Sequence, residues 1–422
     1  MIRFIHTADI HFGVENYGRI DPVTGIHTRL LDFQKALDAC IDHAIAEQVD
    51  FFLFCGDAYK TTNPSPTQQR LLMRCFLRLY QANIPLISVV GNHDNPLSFG
   101  KATTLDIFGQ LPLEGFYVIA KPQWFTLQTK SGPVQIVGMP WPSRQMISLA
   151  PKHEHRSAQE ITAYLSEAVA SIIANFAQQL NPEIPTIFAG HLTVSSGMFS
   201  GSEKRAIYGS DPFLLPSQLA IAPFDYVALG HLHRYQNLNE EAYPAVVYSG
   251  SLERIDFGER KEEKGFCSVT IHHKGNTTHD FIKIKTRPFI QVYVQLTGAS
   301  SHTEQVVSAL QKHNLIDAIV KIIYQIPAGK RDTVDTQQVM RACHQALCVA
   351  SITPIAQAEV RQKRGVGLTT EMDLPTALRA YFSTKPTLQD RQEELIKKTL
   401  ALAEEPQKSP TPAQQHQEEG GV

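Results

Sequence analysis

The chain of 422 residues is too long for one small core, and its length predicts roughly two or three domains. Hydrophobic residues make up 43% of the sequence and charged residues 19%, which is ordinary for a globular protein. The formal net charge of −2 excludes a globally basic protein, so any nucleic-acid-binding surface must be local.

Cysteine usage and hydropathy give an expectation about the cellular compartment. The six cysteines form no Cys-x-x-Cys pair, and Cys40, Cys55 and Cys75 lie among apolar neighbours, as expected of buried free thiols. No apolar stretch reaches the roughly 18 residues of a membrane span, and residues 1–5 lack the charged start of a secretion signal. We therefore expect a cytoplasmic protein without a membrane segment.

Buried strands and amphipathic helices alternate along residues 1–235. Near-continuous apolar runs predict the strands, and apolar residues at helical spacing predict the helices. The predicted strands are 2–6, 49–55, 85–90, 134–138, 185–189 and 226–229, and the predicted helices are 30–48, 65–82 and 161–180. This alternation predicts an α/β layered fold, in which ligands bind beyond the carboxyl ends of the strands.

A second region begins near Arg287, where strand and helix patterns alternate as a βαβαβ module. It has no comparable group of ligand-type residues, so we expect it to cap the site or shape the substrate. A linker, two short amphipathic helices and a Pro-, Gln- and Glu-rich tail follow. The predicted domains are 1–286 (main domain), 287–360 (capping domain), 361–370 (linker), 371–403 (helices) and 404–422 (disordered tail).

Short polar motifs follow the predicted strands of the main domain. Their candidate metal ligands are Asp9, His11, Asp57, Asn92, His93, His191, His231 and His233. Carboxylate, imidazole and amide oxygen groups suit Mn²⁺, Fe²⁺ or Zn²⁺. Two ions roughly 3.5–4 Å apart, bridged by one carboxylate, would use nearly all of these residues. Each motif alone is also typical of a simple turn. Together, in this order and each closing an apolar strand, they predict a two-metal phosphoesterase.

The order Asp-x-His, Gly-Asp, Gly-Asn-His-Asp, Gly-His and Gly-His-x-His resembles the calcineurin-like metallophosphoesterase superfamily. Within it, the sequence is most similar to the SbcD exonuclease family, bacterial relatives of the eukaryotic and archaeal meiotic-recombination nuclease. The segments that carry this similarity are His-Thr-Ala-Asp-Ile-His-Phe-Gly (6–13), Asn-Pro-Ser-Pro (63–66), Tyr-Ser-Gly-Ser-Leu-Glu-Arg (248–254) and Glu-Lys-Gly-Phe (263–266). The resemblance extends over roughly residues 1–400 and implies a four-layer αββα sandwich, a smaller α+β capping and DNA-binding domain, and a C-terminal helical hairpin.

The resemblance also implies roles for the candidate residues. One metal ion would be held by Asp9, His11, Asp57 and His233, and the second by Asp57, Asn92, His191 and His231. In this assignment Asp57 bridges the two ions. His93 matches a catalytic histidine beside the scissile phosphate that is not a ligand, and Asp94 either orients that histidine or caps the turn.

One position departs from the family pattern. Three residues after the bridging aspartate, where the family often carries His or an acid, this chain has Lys60, which could contact a phosphate as a point charge. Arg254, Arg260, Lys261 and Lys264 form a local basic cluster. We take Lys60, Arg254 and Lys261 as candidate substrate-binding residues, against the alternative that the charges merely form a solvated face.

The two C-terminal helices carry apolar stripes. The resemblance implies that they bind an SMC-like ATPase of the SbcC type, whereas the alternative is a hairpin without a partner. The predicted helix 65–82 presents Leu72, Phe76 and Leu79, which suit either a homodimer interface or ordinary core burial.

We therefore expect a DNA nuclease that uses two divalent ions, with Mn²⁺ as the expected metal. The family activity is 3′–5′ exonuclease on duplex ends and endonuclease on single strands and hairpins, gated by the ATPase during DNA replication, repair and recombination. One alternative is another phosphoesterase of this superfamily, either a phosphatase or a cyclic-nucleotide phosphodiesterase. Another is a non-catalytic scaffold, which would have lost its ligand residues.

Overall fold

The computed structural model describes residues 1–96, 101–110, 114–143, 157–201, 211–298, 300–357, 372–383 and 385–404. The predicted linker 361–370 and the predicted disordered tail, apart from its first residue, lie outside the described residues. The chain divides into two compact units, one of residues 1–325 with 332–355 and one of residues 326–331 with 356–422. The finer domain boundaries expected from the sequence stay a prediction.

The described strands follow the predicted order, with further strands between them. In chain order they are β1 (Ile2–Thr7), β2 (Phe51–Phe54), β3 (Leu86–Val89), β4 (Phe116–Ile119), β5 (Gln123–Thr129), β6 (Gly132–Met139), β7 (Thr186–His191), β8 (Thr193–Val194), β9 (Phe213–Leu214), β10 (Tyr226–Gly230), β11 (Gln236–Asn237), β12 (Val246–Tyr248), β13 (Gly265–His273), β14 (Asn276–Lys283), β15 (Phe289–Gln295), β16 (Ile319–Ile326) and β17 (Cys348–Ala356).

The helices also lie close to their predicted positions. They are α1 (Thr28–Ala46), α2 (Pro66–Gln81), α3 (Asp106–Gly109), α4 (Ala158–Gln179), α5 (Pro216–Leu219), α6 (His302–Leu310), α7 (Thr336–Ala342), α8 (Leu374–Ser383) and α9 (Gln392–Glu404), with 3₁₀ turns at Phe257–Glu259 and Pro386–Arg391. Ser65 and Gln68 form a reciprocal capping box that fixes the start of α2.

Two six-stranded sheets form the centre of the first unit. Their spatial orders are β14-β13-β1-β2-β3-β4 and β11-β12-β10-β7-β6-β5. The strands from β1 to β4 run parallel, as do β6, β7, β10 and β12, whereas the antiparallel strands lie at the edges. The carboxyl ends of the parallel strands of each sheet therefore meet at one edge.

The hydrophobic core has three layers, which explains why the central strands are apolar on both faces. Side chains such as Phe4, Leu53 and Ile136 fill the space between the sheets. One outer face packs against α1 and α2, and the other against α4 and α5. The predicted αββα sandwich is confirmed. Leu72, Phe76 and Leu79 of α2 lie in the core, so these three side chains offer no dimer surface.

The region after Arg287 forms a βαβαβ arrangement with a three-stranded sheet, β15-β16-β17. The side chain of Arg287 forms a two-point ion pair with Asp32 of α1, with both N–O distances at 2.6 Å. Phe289 packs edge-on against Phe257 with ring centroids 5.0 Å apart. The module is thus anchored on the turn Phe257–Glu259.

The described part of the second unit contains α8 and α9, joined through the 3₁₀ turn. None of the α8 side chains is buried, and Leu374 and Tyr381 are among its exposed apolar residues. Among all the described residues, no helix is long and apolar enough to cross a membrane.

Candidate metal centre

The polar motifs meet where the parallel strands of the two sheets end. Asp9 and His11 follow β1, Asp57 follows β2, and Asn92 and His93 follow β3. From the second sheet, His191 ends β7, and His231 and His233 follow β10. Among the described residues, three groups of acidic and His side chains bring their ligand atoms within 4.8 Å of one another. All three groups belong to this set of residues and share members, so they form a single centre.

Asp57 lies in the middle of the cluster. Its Oδ2 atom is 3.5 Å from His191 Nε2, 3.7 Å from His11 Nε2 and 4.0 Å from His93 Nε2. Its other oxygen, Oδ1, accepts a hydrogen bond from the main-chain N–H of His93. One carboxylate oxygen thus faces three imidazoles, which is the position that a bridging ligand requires.

Ring nitrogens and oxygens that carry lone pairs converge at this point. His191 Nδ1 donates to the carbonyl of Cys55 at 2.7 Å, which turns Nε2 towards the amide oxygen of Asn92 at 3.0 Å. His11 Nε2 faces His233 Nε2 at 3.0 Å, and His231 Nδ1 lies 3.2 Å from the same oxygen of Asn92. Atoms with lone pairs approach each other this closely only when a proton or a metal ion lies between them, and carboxylate, imidazole and amide oxygen atoms are the donor set that fits divalent metal ions.

The electrostatics of the centre also fit a cation. Burial raises the pKa of Asp9 to about 7, even though His191 and His233 act to lower it. Burial also raises the pKa of Asp57, but its histidine neighbours, His191 first, hold it well below its ordinary value. Burial lowers the pKa of His11, so its ring is neutral, the form that binds metals. Burial also acts against the charged form of His191, but the carboxylates of Asp57 and Asp9 raise its pKa to about 9, so this buried ring is a place where positive charge is favoured. A divalent ion bound between the carboxylates and the rings would supply that positive charge in place of the proton.

The backbone is strained at the same point. Asp9, His11 and Asp57 have φ angles of 54°, 52° and 59°, and His231 has 105°, a region that residues other than glycine rarely adopt. These conformations aim side chains inward at the strand ends. The Asp9 carboxylate accepts the His231 N–H at 3.0 Å, which joins the two sheets.

Gly91 allows the loops after β2 and β3 to approach each other. A Cβ atom at this position would lie 2.1 Å from Oδ1 of Asp57 and 2.4 Å from its backbone nitrogen. No side chain fits there without displacing the central carboxylate. This contact gives a physical reason for glycine before Asn92 and His93.

His93 differs from the other histidines of the centre in its exposure. Its side chain is 34% exposed, whereas those of His11 and His191 are 1% and 0% exposed. Its Nδ1 donates to the carbonyl of Lys60 at 2.9 Å, so Nε2 is the atom that faces the centre. His93 is thus accessible from outside, as the predicted catalytic histidine must be, although its ring also lies within reach of a metal ion.

Asp94 accepts hydrogen bonds from backbone N–H groups and from the Thr104 hydroxyl, and among the described residues its carboxylate has no hydrogen bond with His93. Its buried carboxylate accepts hydrogen bonds from the N–H groups of Asp57 at 2.8 Å, Ala58 at 3.1 Å and Gly91 at 3.1 Å. Of the two roles that the sequence left open, the geometry favours the structural one. Asp94 fixes the loop that carries Asp57.

Two side chains of the centre were not predicted from the sequence. Glu259, fully buried, accepts a hydrogen bond from His233 Nδ1 at 2.9 Å and pairs with Lys264 at 2.9 Å. A carboxylate that holds a metal-binding histidine is a common arrangement, so a search for a partner of His233 would have been justified. Trp141 follows β6, another strand ending at this edge, and its ring lies 4.8 Å from that of His231.

The candidate substrate-binding residues fall into different environments. Lys60 is partly exposed beside the centre, and Lys261 is exposed. The Arg254 guanidinium donates to the carbonyls of Glu262 and Arg287 and to Thr286, so it holds the fold together. Lys264 is 2% exposed and its charge is paired within the protein, so it is no part of an open basic cluster. Contact of Lys60, Arg254 or Lys261 with substrate stays a prediction.

Comparison with known proteins agrees with this geometry. A family model described as calcineurin-like phosphoesterase matches residues 2–235, more than half of the chain. Among solved structures, the chain is similar to a dimetal phosphatase from Danio rerio, with 10% sequence identity, a TM-score of 0.41, and coverage of 66% of this chain and 98% of the other. It is also similar to a protein of Thermus thermophilus, with 14% identity, a TM-score of 0.35, and coverage of 66% and 98%. The family match includes every residue of the cluster from Asp9 to His233, and the chain therefore belongs to the calcineurin-like phosphoesterase family.

Proposed function

We propose that this protein is the nuclease subunit of a DNA end-processing complex of the SbcCD type. It would hydrolyse phosphodiester bonds with two divalent ions, with Mn²⁺ as the expected metal. Its substrates would be duplex ends, cut as a 3′–5′ exonuclease, and single strands or hairpins, cut as an endonuclease. The proposal assigns the protein to DNA repair and recombination.

One observation carries the step from phosphoesterase to nuclease. Residues 248–266 lie beyond the family match, and they contain two of the segments that resemble the SbcD nucleases. In the fold, this stretch supplies Glu259, which holds His233, and Lys264, which donates to the carbonyl of His233 at 2.9 Å. The stretch that resembles a DNA nuclease is therefore part of the candidate metal centre.

The ligands would divide between two ions as the resemblance implies. The first ion would be held by Asp9, His11, Asp57 and His233, and the second by Asp57, Asn92, His191 and His231. When bound, such a pair of ions neutralises the phosphodiester and lowers the pKa of a water molecule that attacks phosphorus. Glu259 and the carbonyl of Cys55 fix the ring orientation of His233 and His191, respectively, before substrate arrives.

His93 would act on the leaving group. Because its Nδ1 is engaged by the carbonyl of Lys60, the exposed side of the ring presents Nε2 to a bound phosphodiester. From there it would protonate the leaving sugar oxygen or donate a hydrogen bond to the charge of the transition state. Lys60 would add a positive charge near the phosphate.

The C-terminal helices would bind the SbcC-type ATPase. The proposal is supported by their exposed apolar side chains, among them Leu374, Tyr381 and Leu402, of which Leu402 is 68% exposed. An exposed apolar helix face is typical of partner-binding segments. A homodimer also belongs to this proposal, through surfaces other than the buried face of α2.

The test is cleavage of end-labelled duplex, hairpin and single-stranded DNA by the purified protein with Mn²⁺, alone and with its ATPase. We expect cleavage that stops when EDTA removes the metal. In parallel, a phosphodiester and a phosphomonoester of p-nitrophenol report the basal reaction of the metal centre. Hydrolysis of these small esters without cleavage of any DNA would assign the protein to the phosphatase or cyclic-nucleotide alternative and overturn the nuclease proposal.

A further inference from the structure

A cavity of about 950 Å³ opens next to the metal centre. Its wall includes Arg234 and Tyr235, which directly follow His233, and Arg260 and Lys261, which directly follow Glu259. Phe281 of β14 also lines the cavity. The cavity therefore shares two chain segments with one side of the centre, and Phe199–Gly201 and Phe281 line the rest of it.

The cations in this cavity wall have no acidic partner among the residues that the structure describes. Of the residues that the structure describes, none forms an ion pair with Arg234, Arg260 or Lys261, and Arg260 donates only to a main-chain carbonyl. The two acids of the wall, in contrast, each lie beside a lysine, and Glu262 shares its lysine with Glu259. Glu262 lies 3.0 Å from the ammonium group of Lys264, and Glu263 lies 2.7 Å from that of Lys283. Within the described part of the chain, Arg234, Arg260 and Lys261 thus offer positive charge to an anion, although the net charge of the chain is −2.

The cavity also carries an aromatic surface. Tyr235 and Phe281 stack with ring centroids 4.2 Å apart and an interplanar angle of 16°. Both rings are only partly buried, and both line the cavity. A flat aromatic surface beside unpaired cations suits a ligand that has both phosphates and planar bases.

We propose that this cavity binds the single-stranded part of a DNA substrate next to the scissile phosphate. Arg234 and Lys261 would contact the phosphates, and the Tyr235–Phe281 pair would stack with an unpaired base. Duplex DNA fits the site less well because its bases are stacked on one another and present only their edges. The inference rests on the proposed function and adds the location and strandedness of the bound substrate.

Binding is measured without cleavage, by fluorescence anisotropy of a labelled oligothymidylate with full-length protein in EDTA. Replacing Arg234 and Lys261 together by alanine should weaken binding about tenfold at low salt. It should also reduce the slope of log affinity against log salt by about 1.4, since each phosphate contact on a single strand contributes about 0.7. The matched control replaces Lys35 and Lys121, two exposed lysines outside the cavity, and should leave both values unchanged.

The aromatic contact is tested separately. Tyr235→Leu should weaken binding about tenfold without changing the salt slope, whereas Tyr235→Phe should bind like the wild type because it keeps the ring. Circular dichroism shows whether each variant is folded. If Tyr235→Leu does not fold, Phe281→Leu is used in its place.

The outcomes separate this inference from the proposed function. If the wild type cleaves DNA and the cavity variants bind as it does, the cavity inference fails and the nuclease proposal stands. If the wild type binds single strands through the cavity but no metal supports cleavage, the nuclease proposal fails and the binding site stands. If the wild type binds no oligonucleotide, or if polyglutamate competes as well as DNA does, the cavity is not a DNA site.

Discussion

Two regions of the first unit are built from parallel strands linked by helices, but only one of them gathers ligand-type side chains. Among the described residues, every cluster of three or more potential metal ligands lies where the two central sheets meet. The module formed by β15, α6, β16, α7 and β17 has strand ends of the same kind and no such cluster. A strand edge alone therefore does not make a site.

Backbone strain and burial separate the two regions. Four site residues other than glycine have positive φ, whereas Asp317 is the one such residue in the described part of the module. Asp9 and Asp57 are almost fully buried, and burial acts against the charged form of both carboxylates. Strain and buried charge cost stability, and proteins keep them where function requires them. The module instead contacts the turn Phe257–Glu259 through Phe289, and so supports the centre from outside.

The largest effect should come from Asp57→Asn. This change removes the charge of the central carboxylate, so we expect loss of bound Mn²⁺ and a fall of phosphodiester hydrolysis to background. Metal content by mass spectrometry and hydrolysis of a p-nitrophenyl diester measure the two effects. The matched control is Asp332→Asn in the module, where the carboxylate accepts hydrogen bonds from the Tyr324 hydroxyl and the Val334 N–H and belongs to no group of potential metal ligands among the described residues. Full metal content in Asp57→Asn would remove Asp57 from the ligand set.

His93→Leu should lower DNA cleavage by about 10²–10⁴-fold, the usual contribution of a general acid. Metal content and DNA binding should stay close to those of the wild type, because the family resemblance implies that the partly exposed His93 is not a metal ligand. The metal content of the variant is measured in parallel with DNA cleavage, which shows whether His93 is needed for metal binding or for cleavage alone. A collapse of metal binding in this variant would make His93 a ligand, which its distance of 4.0 Å from Asp57 allows.

Glu259→Gln should have an intermediate effect. The variant keeps a hydrogen-bond acceptor for His233 Nδ1 but loses the negative charge that also pairs with Lys264. We expect Mn²⁺ affinity to fall by about 10–100-fold, the typical cost of losing such a partner. Isothermal titration calorimetry with Mn²⁺ measures it. Glu263→Gln, an exposed acid on the same segment, is the control, and equal affinities in the two variants would contradict a role for Glu259.

The fold and most of the centre could be predicted from the sequence because their signals are local. Apolar runs marked β1, β2 and β3, and a capping pair marked the start of α2 at Ser65. The ligand motifs directly follow these strands, so parallel topology alone brings them together. The hairpin of β13 and β14 was not predicted, since its alternating, half-exposed pattern is weaker than a buried run.

What the sequence did not reveal depends on contacts between distant segments. Glu259 lies 26 residues after His233, and Trp141 reaches His231 from another strand. Lys264 looked like part of a basic cluster, but it is buried between acids. The face of α2 was open to two interpretations, because an apolar stripe is the same whether it meets a core or a partner.

The smallest predicted effect is on the free energy of unfolding. It is tested by comparing His6, a buried histidine of β1, with His344, an exposed histidine of the module. His6 is fully buried, with Nδ1 3.1 Å from the Tyr226 hydroxyl and Nε2 3.2 Å from the Leu229 carbonyl, and burial lowers its pKa to about 3. The unfolded chain, with a pKa near 6.5, takes up the proton first, so His6 weakens the fold as pH falls from about 6.5 towards 3. The cost should be about 1.4 kcal/mol per pH unit in that range.

Urea unfolding in EDTA at pH 7.5 and 5.5 should therefore show a smaller loss of stability at the lower pH for His6→Gln than for the wild type. His344→Gln, at an exposed position, should behave like the wild type. Equal pH dependence in all three proteins would mean that His6 is protonated in the folded state, and that the space between the two sheets tolerates a charge.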